Sequence, residues 1–297
     1  MPKIAVLIPA FNEEIAIGTV VALSRRFAEH VIVVDDGSTD RTSLVAQLAG
    51  AEVIPMPRNV GKAKALMLGF QRCLELEPDC VVTIDGDMQL DPVEIPNLAG
   101  PVLQGKADRV IGSRFQNEKN VIPAYRRTGQ KVLDRATNIS SGIKISDSQC
   151  GYRAFSIKAL KQMNFSPSSF SIESEMIMRF NEMGLKIEEV PISVRYDVPN
   201  GHKMAPFKHG ISVLSDVVGF IGYRRPLLLF GVPGAVLTLI GLLLGLFTWL
   251  DTIVIFDWTL VVQSLAALGL LMVGVLMGVA GLILNSLAVL MAEKKRV

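Results

Sequence analysis

Two acids at positions i and i+2, Asp85 and Asp87, leave the end of a short apolar run, Val81-Val82-Thr83-Ile84. At a strand end the chain departs from the pleat, so both carboxylates can turn toward one point. Hard oxygen ligands converging there suit Mg²⁺ or Mn²⁺, which keeps further positions for phosphate and water. A divalent ion bridging a diphosphate stabilises it as a leaving group. An isolated Asp-x-Asp is also a common surface feature, and its weight here comes from the polar motifs around it. Asp35-Asp36-Gly37-Ser38 closes another apolar run. A carboxylate there can accept from the N3–H of uracil or the N1–H of guanine; the ordinary alternative is a helix cap by Ser38 or Asp40. Asn59-Val60-Gly61-Lys62 opens a helix whose free amides and lysine suit a phosphate. The stretch lacks the Gly-x-x-x-x-Gly-Lys-Ser/Thr pattern, which argues against a nucleoside triphosphatase.

The elements that must position these groups alternate. Strand-like runs at Ile4–Ile8, Val31–Val34, Glu52–Pro55, Cys80–Ile84 and Arg109–Ile111 are interleaved with helical patterns at Glu13–Phe27, from Asp40 to about Gly50, and at Val60–Leu76. This predicts an α/β fold with a doubly wound, mostly parallel sheet, whose ligands bind beyond the carboxyl ends of the strands. Further on, Tyr125–Ser140 reads as an amphipathic helix rich in Arg and Lys. Asp147–Phe155 reads as a loop into a short strand, Ser171–Met183 as a helix and Lys186–Val194 as a strand.

The chain has 297 residues, 50% hydrophobic, with a mean hydropathy of +0.40. The excess lies after Pro226, where Leu227–Leu250 and Trp258–Ala292 contain no charged residue. As helix, the first run reaches about 36 Å, enough to cross a bilayer. The expected organisation is a domain over 1–205, an interfacial helix over 206–225 and a hairpin over 226–297, its spans at about 227–250 and 260–291. His209–Tyr223 places Ile211, Leu214, Val217, Val218 and Ile221 on one face, as an interfacial helix would. Arg224 and Arg225 precede the first span, Lys294, Lys295 and Arg296 follow the second, and only Asp251 and Asp257 are charged between them. The positive-inside rule therefore predicts a multi-pass protein of the cell membrane with the large domain and both termini cytoplasmic. Trp249 and Trp258 flank the outer loop as interfacial aromatics. Met1-Pro2-Lys3-Ile4 runs directly into a strand and predicts no signal peptide. Cys73, Cys80 and Cys150 show no metal spacing and read as reduced thiols. The formal charge of +2 gives no pointer to nucleic acid, which is not an expected partner.

Taken together, Pro9-Ala10-Phe11-Asn12-Glu13-Glu14, Asp-Asp-Gly-Ser, Gly61-Lys62 and Asp85-Gly86-Asp87-Met88-Gln89 resemble glycosyltransferase family 2. More narrowly, they resemble its polyprenyl-phosphate sugar synthases of the dolichol-phosphate mannose and glucose type, with an archaeal lean carried by the Tyr196-Asp197-Val198-Pro199-Asn200-Gly201 stretch. Gly86 and Met88 stand where that family often has Ala and Leu. The resemblance implies a GT-A-type fold and an inverting transfer of a hexose from a UDP- or GDP-sugar to dolichyl or another polyprenyl phosphate, dependent on Mg²⁺ or Mn²⁺. It implies a nucleotide site of Pro9, Phe11, Glu13, Val34, Asp36, Lys62 and Gly86, and a metal site of Asp85, Asp87 and Gln89. Asp85, Asp87 and Arg114 would carry catalysis. Arg126, Arg127, Lys131, Arg195 and Lys203 would meet phosphates, where two anions brought together need a cationic cradle; Arg126, Arg127 and Lys131 also read as an ordinary solvated helix face.

A phosphate acceptor is already ionised near neutral pH, so no general base is required; Asp147, Glu173 and Glu175 are the residues that could serve as one, and Glu173 and Glu175 read equally as exposed first-turn acids. A processive polysaccharide synthase would carry a Gln-x-x-Arg-Trp motif, and both tryptophans of this chain flank the spans instead. Transfer to a different membrane lipid and a non-catalytic sugar-nucleotide sensor remain the alternatives; retention of both acids and Gln89 argues against the sensor. Gly241-x-x-x-Gly245 and Gly274-x-x-x-Gly278 allow close helix approach, either packing the hairpin or joining two protomers as a homo-oligomer.

Overall fold

The computed structural model describes residues 2–117, 120, 122–163, 172–196, 222, 226–252 and 258–294, and the chain divides into two compact units, Met1–Val213 and Leu214–Val297. The expected interfacial helix over 206–225, apart from Gly222, and the expected phosphate contact Lys203 fall outside the described residues.

In the first unit, seven strands form one sheet: β1 (Ile4–Ala10), β2 (His30–Asp35), β3 (Glu52–Pro55), β4 (Cys80–Thr83), β5 (Arg109–Ser113), β6 (Arg153–Ser156) and β7 (Ile187–Pro191), in the order β3-β2-β1-β4-β6-β5-β7. All neighbours are parallel except β6, which runs antiparallel between β4 and β5. Along β1 the side chains alternate between two cores. Ile4, Val6, Ile8 and Ala10 face one apolar cluster, Ala5 and Leu7 the other. Burial on both faces is why these strands read as unbroken apolar runs. Helices α1 (Ile17–Ser24), α2 (Thr42–Leu48) and α4 (Ile95–Leu103) cover the first face; α3 (Lys62–Glu75), α6 (Ile157–Lys161) and α7 (Ile172–Glu182) cover the second. Helix α5 (Ala124–Ser141) joins α7 through a Thr137–Ser174 hydroxyl pair at 3.0 Å.

Several elements differ from the sequence reading, each for a local reason. Helix α1 starts at Ile17 rather than Glu13 because the Glu13 and Glu14 amides donate to Thr42 Oγ1 and Asp40 Oδ2. Helix α3 starts at Lys62 rather than Val60: the amides of Val60 and Gly61 go to the Asp36 carboxylate, and Gly61 takes φ of 98°. Helix α4 has no counterpart in the sequence reading because Pro96 and Pro101 obscure it, although Ile95, Leu98, Ala99 and Val102 bury a helical face. Strand β5 continues to Ser113 because Gly112 and Ser113 pair with Val190 and Pro191 of β7. Strand β7 ends at Pro191, and Val194 then bridges to Leu90.

The second unit is a helical hairpin of α8 (Val232–Thr252) and α9 (Trp258–Lys294). Its two apolar windows have a hydropathy of 2.5 each and are only 11% and 17% buried, whereas a core helix of a soluble protein would be mostly buried. Both are long and apolar enough to cross a membrane. The seam repeats every seven residues: Gly234, Gly241 and Thr248 are buried on α8, and Ala267, Gly274 and Gly281 on α9. A Cβ on Gly241 would lie 2.7 Å from the Leu271 nitrogen, and one on Gly274 would lie 2.5 Å from the Thr238 nitrogen. Gly278 meets nothing within 4 Å and Gly245 only the Ala267 Cβ at 4.0 Å. Of the two Gly-x-x-x-Gly pairs, Gly241 and Gly274 thus serve the hairpin, and the operative spacing of the seam is seven residues.

Candidate active site

The register brings the carboxyl ends of β1, β2 and β4 to one edge of the sheet, with Ala10 opposite Asp35 and Leu7 opposite Thr83. The first two loops are sewn together. The Asn12 amide donates to Ser38 Oγ at 2.9 Å, and Asn12 Oδ1 accepts from the Thr39 amide at 2.9 Å, with Asn12 itself at φ of 56°. Asp35 accepts from the Ser38 amide and the Ser43 hydroxyl. Both oxygens of the buried Asp36 accept backbone amides at 2.8 Å, from Val60 and Gly61, so this acid fixes the start of α3. Each carboxylate oxygen has a second lone pair, so this use leaves capacity for a base N–H.

The acidic motif turns sharply after β4. Asp87 Oδ1 accepts from the Gln89 amide at 3.0 Å while Met88 sits at φ of 60°. The Gln89 carbonyl accepts from the Arg195 amide at 2.8 Å, tying the motif to the segment after β7. Asp85 is backed by Gly151: a Cβ there would stand 2.5 Å from Asp85 Oδ2, and Thr83 Oγ1 holds the Gly151 carbonyl at 2.8 Å. Lys62 Nζ lies 2.7 Å from Asp85 Oδ1 and 3.2 Å from Glu173 Oε1. Burial works against this ammonium, but the charges of Asp85 and Glu173 outweigh it and hold the pKa above the ordinary lysine value. Glu13 is raised to about 7, by burial first and then by the charges of Asp87, Asp85 and Asp40. Glu13, Lys62, Asp85 and Asp87 therefore share one electrostatic neighbourhood.

Among the described residues no cluster of three or more His, Cys, Asp or Glu could hold a metal by itself. Two carboxylates with repulsion felt at Glu13 do fit a hard divalent ion of the kind that takes one or two protein acids and completes its shell with substrate phosphate and water.

Arg114 is engaged differently. Its Nε and Nη2 donate to the two oxygens of Asp147 at 2.7 Å each, its amide adds a third bond at 3.0 Å, and Asp147 is fully buried. Burial opposes the guanidinium charge and Asp147 more than restores it. Asp147 therefore acts as the holder of Arg114. Glu173 and Glu175 are not exposed first-turn acids: the Glu173 side chain is 12% exposed and Glu175 is buried. The Val34 side chain is buried in the apolar cluster under α3. Pro9 and Phe11 lie at the strand end, with Phe11 exposed. A Cβ on Gly86 would meet Ile17 at 3.2 Å, so this turn packs closely on α1.

Arg127 and Lys131 lie on the exposed face of α5 and form no ion pair among the described residues; Arg195 is also exposed. The Arg126 side chain and Lys203 lie outside the described residues. All three cysteines are free and buried, and burial pushes the Cys150 thiol up to about 12, which removes it as a nucleophile. The ion-pair partners Asp147 for Arg114 and Glu173 for Lys62 had no signal in sequence spacing.

The Gly151 geometry yields an expected result. In Gly151→Ala the new methyl meets the movable end of Asp85 rather than backbone, so the strain is relieved by shifting that carboxylate. Activity should fall about tenfold or more while stability changes little. Comparing kcat/KM with the apparent Tm checks it; a loss of stability with unchanged kcat/KM would separate Gly151 from the site.

Comparison with known proteins agrees with this layout. The sequence pattern described as glycosyl transferase family 2 matches residues 5–163. Glycosyltransferase AglJ of Haloferax volcanii is 28% identical over 299 residues, covering 99% of this chain and 95% of its own. The UDP-N-acetylglucosamine--dolichyl-phosphate N-acetylglucosaminyltransferase of Methanococcus voltae is 31% identical over 215 residues, 65% of this chain and 86% of its own. In three dimensions, glucosyl-3-phosphoglycerate synthase of Mycobacterium tuberculosis, crystallised with Mn²⁺, UDP and glucosyl-3-phosphoglycerate, superposes with a TM-score of 0.57 at 26% identity, over 75% of this chain and 80% of that one. With a GT-A-type sheet and a family match over more than half of its length, the chain belongs to glycosyl transferase family 2.

Proposed function

We propose that this glycosyltransferase moves a hexose from a UDP- or GDP-sugar to dolichyl or another polyprenyl phosphate, with inversion, making a lipid-linked sugar for glycan assembly. The observation that carries the reading is the meeting of Asp85, Asp87, Glu13 and Lys62 at the carboxyl edge of the sheet, in a chain that also bears two membrane-length apolar helices. The M. voltae relative names a dolichyl phosphate acceptor, and the match to AglJ extends through the hairpin.

In this reading Pro9, Phe11 and Asp36 border the nucleotide, and Asp85, Asp87 and Gln89 hold Mg²⁺ or Mn²⁺, which when bound neutralises the departing diphosphate. Lys62 faces the same diphosphate. Arg114, fixed by Asp147, meets the phosphates together with Arg195, Lys203 and the basic residues Arg126, Arg127 and Lys131. An oxygen of the lipid phosphate attacks the anomeric carbon in line. The new C–O bond forms as the bond to the diphosphate breaks, and the nucleoside diphosphate leaves. The attacking phosphate needs no proton removed, so positioning and charge stabilisation suffice. The basic flanks support an orientation with the catalytic unit and both termini on the cytoplasmic side of the cell membrane. The test is a screen of UDP- and GDP-sugars against dolichyl and undecaprenyl phosphate, with and without EDTA. One donor should be turned over and EDTA should abolish it; no turnover with any lipid phosphate would sink the acceptor class.

A further inference from the structure

Lys62 stands between two acids of different standing. Asp85, whose side chain is 32% exposed, belongs to the pair read above as ligands of a divalent ion; Glu173 is 12% exposed and lies at the start of α7. Glu173 is embedded in positive surroundings. Its backbone carbonyl accepts from Arg153 Nη1 at 3.2 Å. The buried guanidinium of Arg109 has no hydrogen-bond partner among the described residues and is flanked by the Phe155 and Phe180 rings at 5.4 and 5.2 Å. Burial disfavours the charge on both arginines, and the charge of Glu173 opposes that effect. A carboxylate in such a place, 3.2 Å from Lys62 Nζ, can hold an ammonium without help from Asp85.

A divalent ion arriving at Asp85 competes with Lys62 for the same oxygens. Were Asp85 its only anchor, the lysine would have to give up its counter-charge as the metal bound. With three N–H donors and a second acid 3.2 Å away, it can instead transfer its weight to Glu173 and remain beside the incoming diphosphate. We propose that Lys62 and Glu173 form a cation-exchange pair. Lys62 neutralises Asp85 while no metal is bound, and Glu173 is the positioning residue that retains the displaced ammonium. The inference deepens the proposed function and rests on Asp85 and Asp87 taking the divalent ion.

The experiment titrates MnCl₂ into the full-length chain in detergent, without nucleotide, and follows free Mn²⁺ by electron paramagnetic resonance. Lys62→Met is expected to tighten Mn²⁺ binding about three- to fivefold, the scale of a half-exposed ion pair. Glu173→Gln should weaken it by a similar factor when Lys62 is present and by less than about twofold in the Lys62→Met background, because neighbouring effects on one residue are non-additive. Equal Glu173→Gln effects in both backgrounds would reveal only the field of a distant charge and overturn the exchange. Should Glu173→Gln not fold, unchanged or weaker Mn²⁺ binding in Lys62→Met overturns it alone. Wild-type protein that binds no Mn²⁺ would remove the metal reading and this inference with it, whereas wild-type binding with no response to Lys62 removes only the inference.

Discussion

Replacing Asp87 with alanine is expected to lower kcat/KM by about 10²- to 10³-fold, on the order of 3–4 kcal/mol of transition-state stabilisation lost with one metal ligand. The fold should tolerate the change. Asp87 lies outside both apolar clusters, and its removal relieves one of the charges that push Glu13 up to about 7. The bond from the Gln89 amide to Asp87 Oδ1, beside Met88 at φ of 60°, is lost. Asp87→Asn separates the two roles, since it keeps an oxygen for that amide and removes only the charge. Both variants should be nearly inactive and retain the wild-type apparent Tm to within a few degrees. Full turnover by Asp87→Asn, or by wild-type enzyme stripped with EDTA, would defeat the metal assignment.

The second large effect belongs to Asp147. Its carboxylate is fully buried and carries three bonds from Arg114. Breaking such a pair from one side strands a buried charge and costs about 3–5 kcal/mol. Asp147→Ala should therefore lower the apparent Tm by about 10 °C and inactivate the enzyme. The double variant Arg114→Met, Asp147→Leu should regain most of that stability, because apolar residues of similar volume replace a buried ion pair at little net cost. Activity should not return with it, since the guanidinium proposed to meet phosphate is gone. Recovery of both stability and turnover would make the pair purely architectural. Thermal unfolding in detergent and sugar transfer on the same samples decide between these outcomes.

The residues themselves determined a good part of this protein. Ile4–Ala10, His30–Asp35 and Cys80–Thr83 are apolar runs covered on both faces, and a run of that kind has few other ways to be buried. Once those strands were parallel neighbours, Asp35, Asp36, Asp85 and Asp87 had to emerge at one edge. The uncharged runs after Pro226 announced a hairpin for a similar reason, since their composition leaves little but a membrane or a core. What the tertiary structure alone decided are the pairings between segments with no common period. Arg114 finds Asp147, 33 positions away, and Lys62 finds Asp85 and Glu173. The antiparallel insertion of β6 between β4 and β5 is equally invisible to local pattern. So is the direction in which Val34 points, since a strand buried on both faces shows no alternation to read. In the hairpin, choosing Gly241 and Gly274 over Gly245 and Gly278 required the register of two helices. Periodicity reports burial along one element, whereas charge pairing and helix register depend on where other elements arrive.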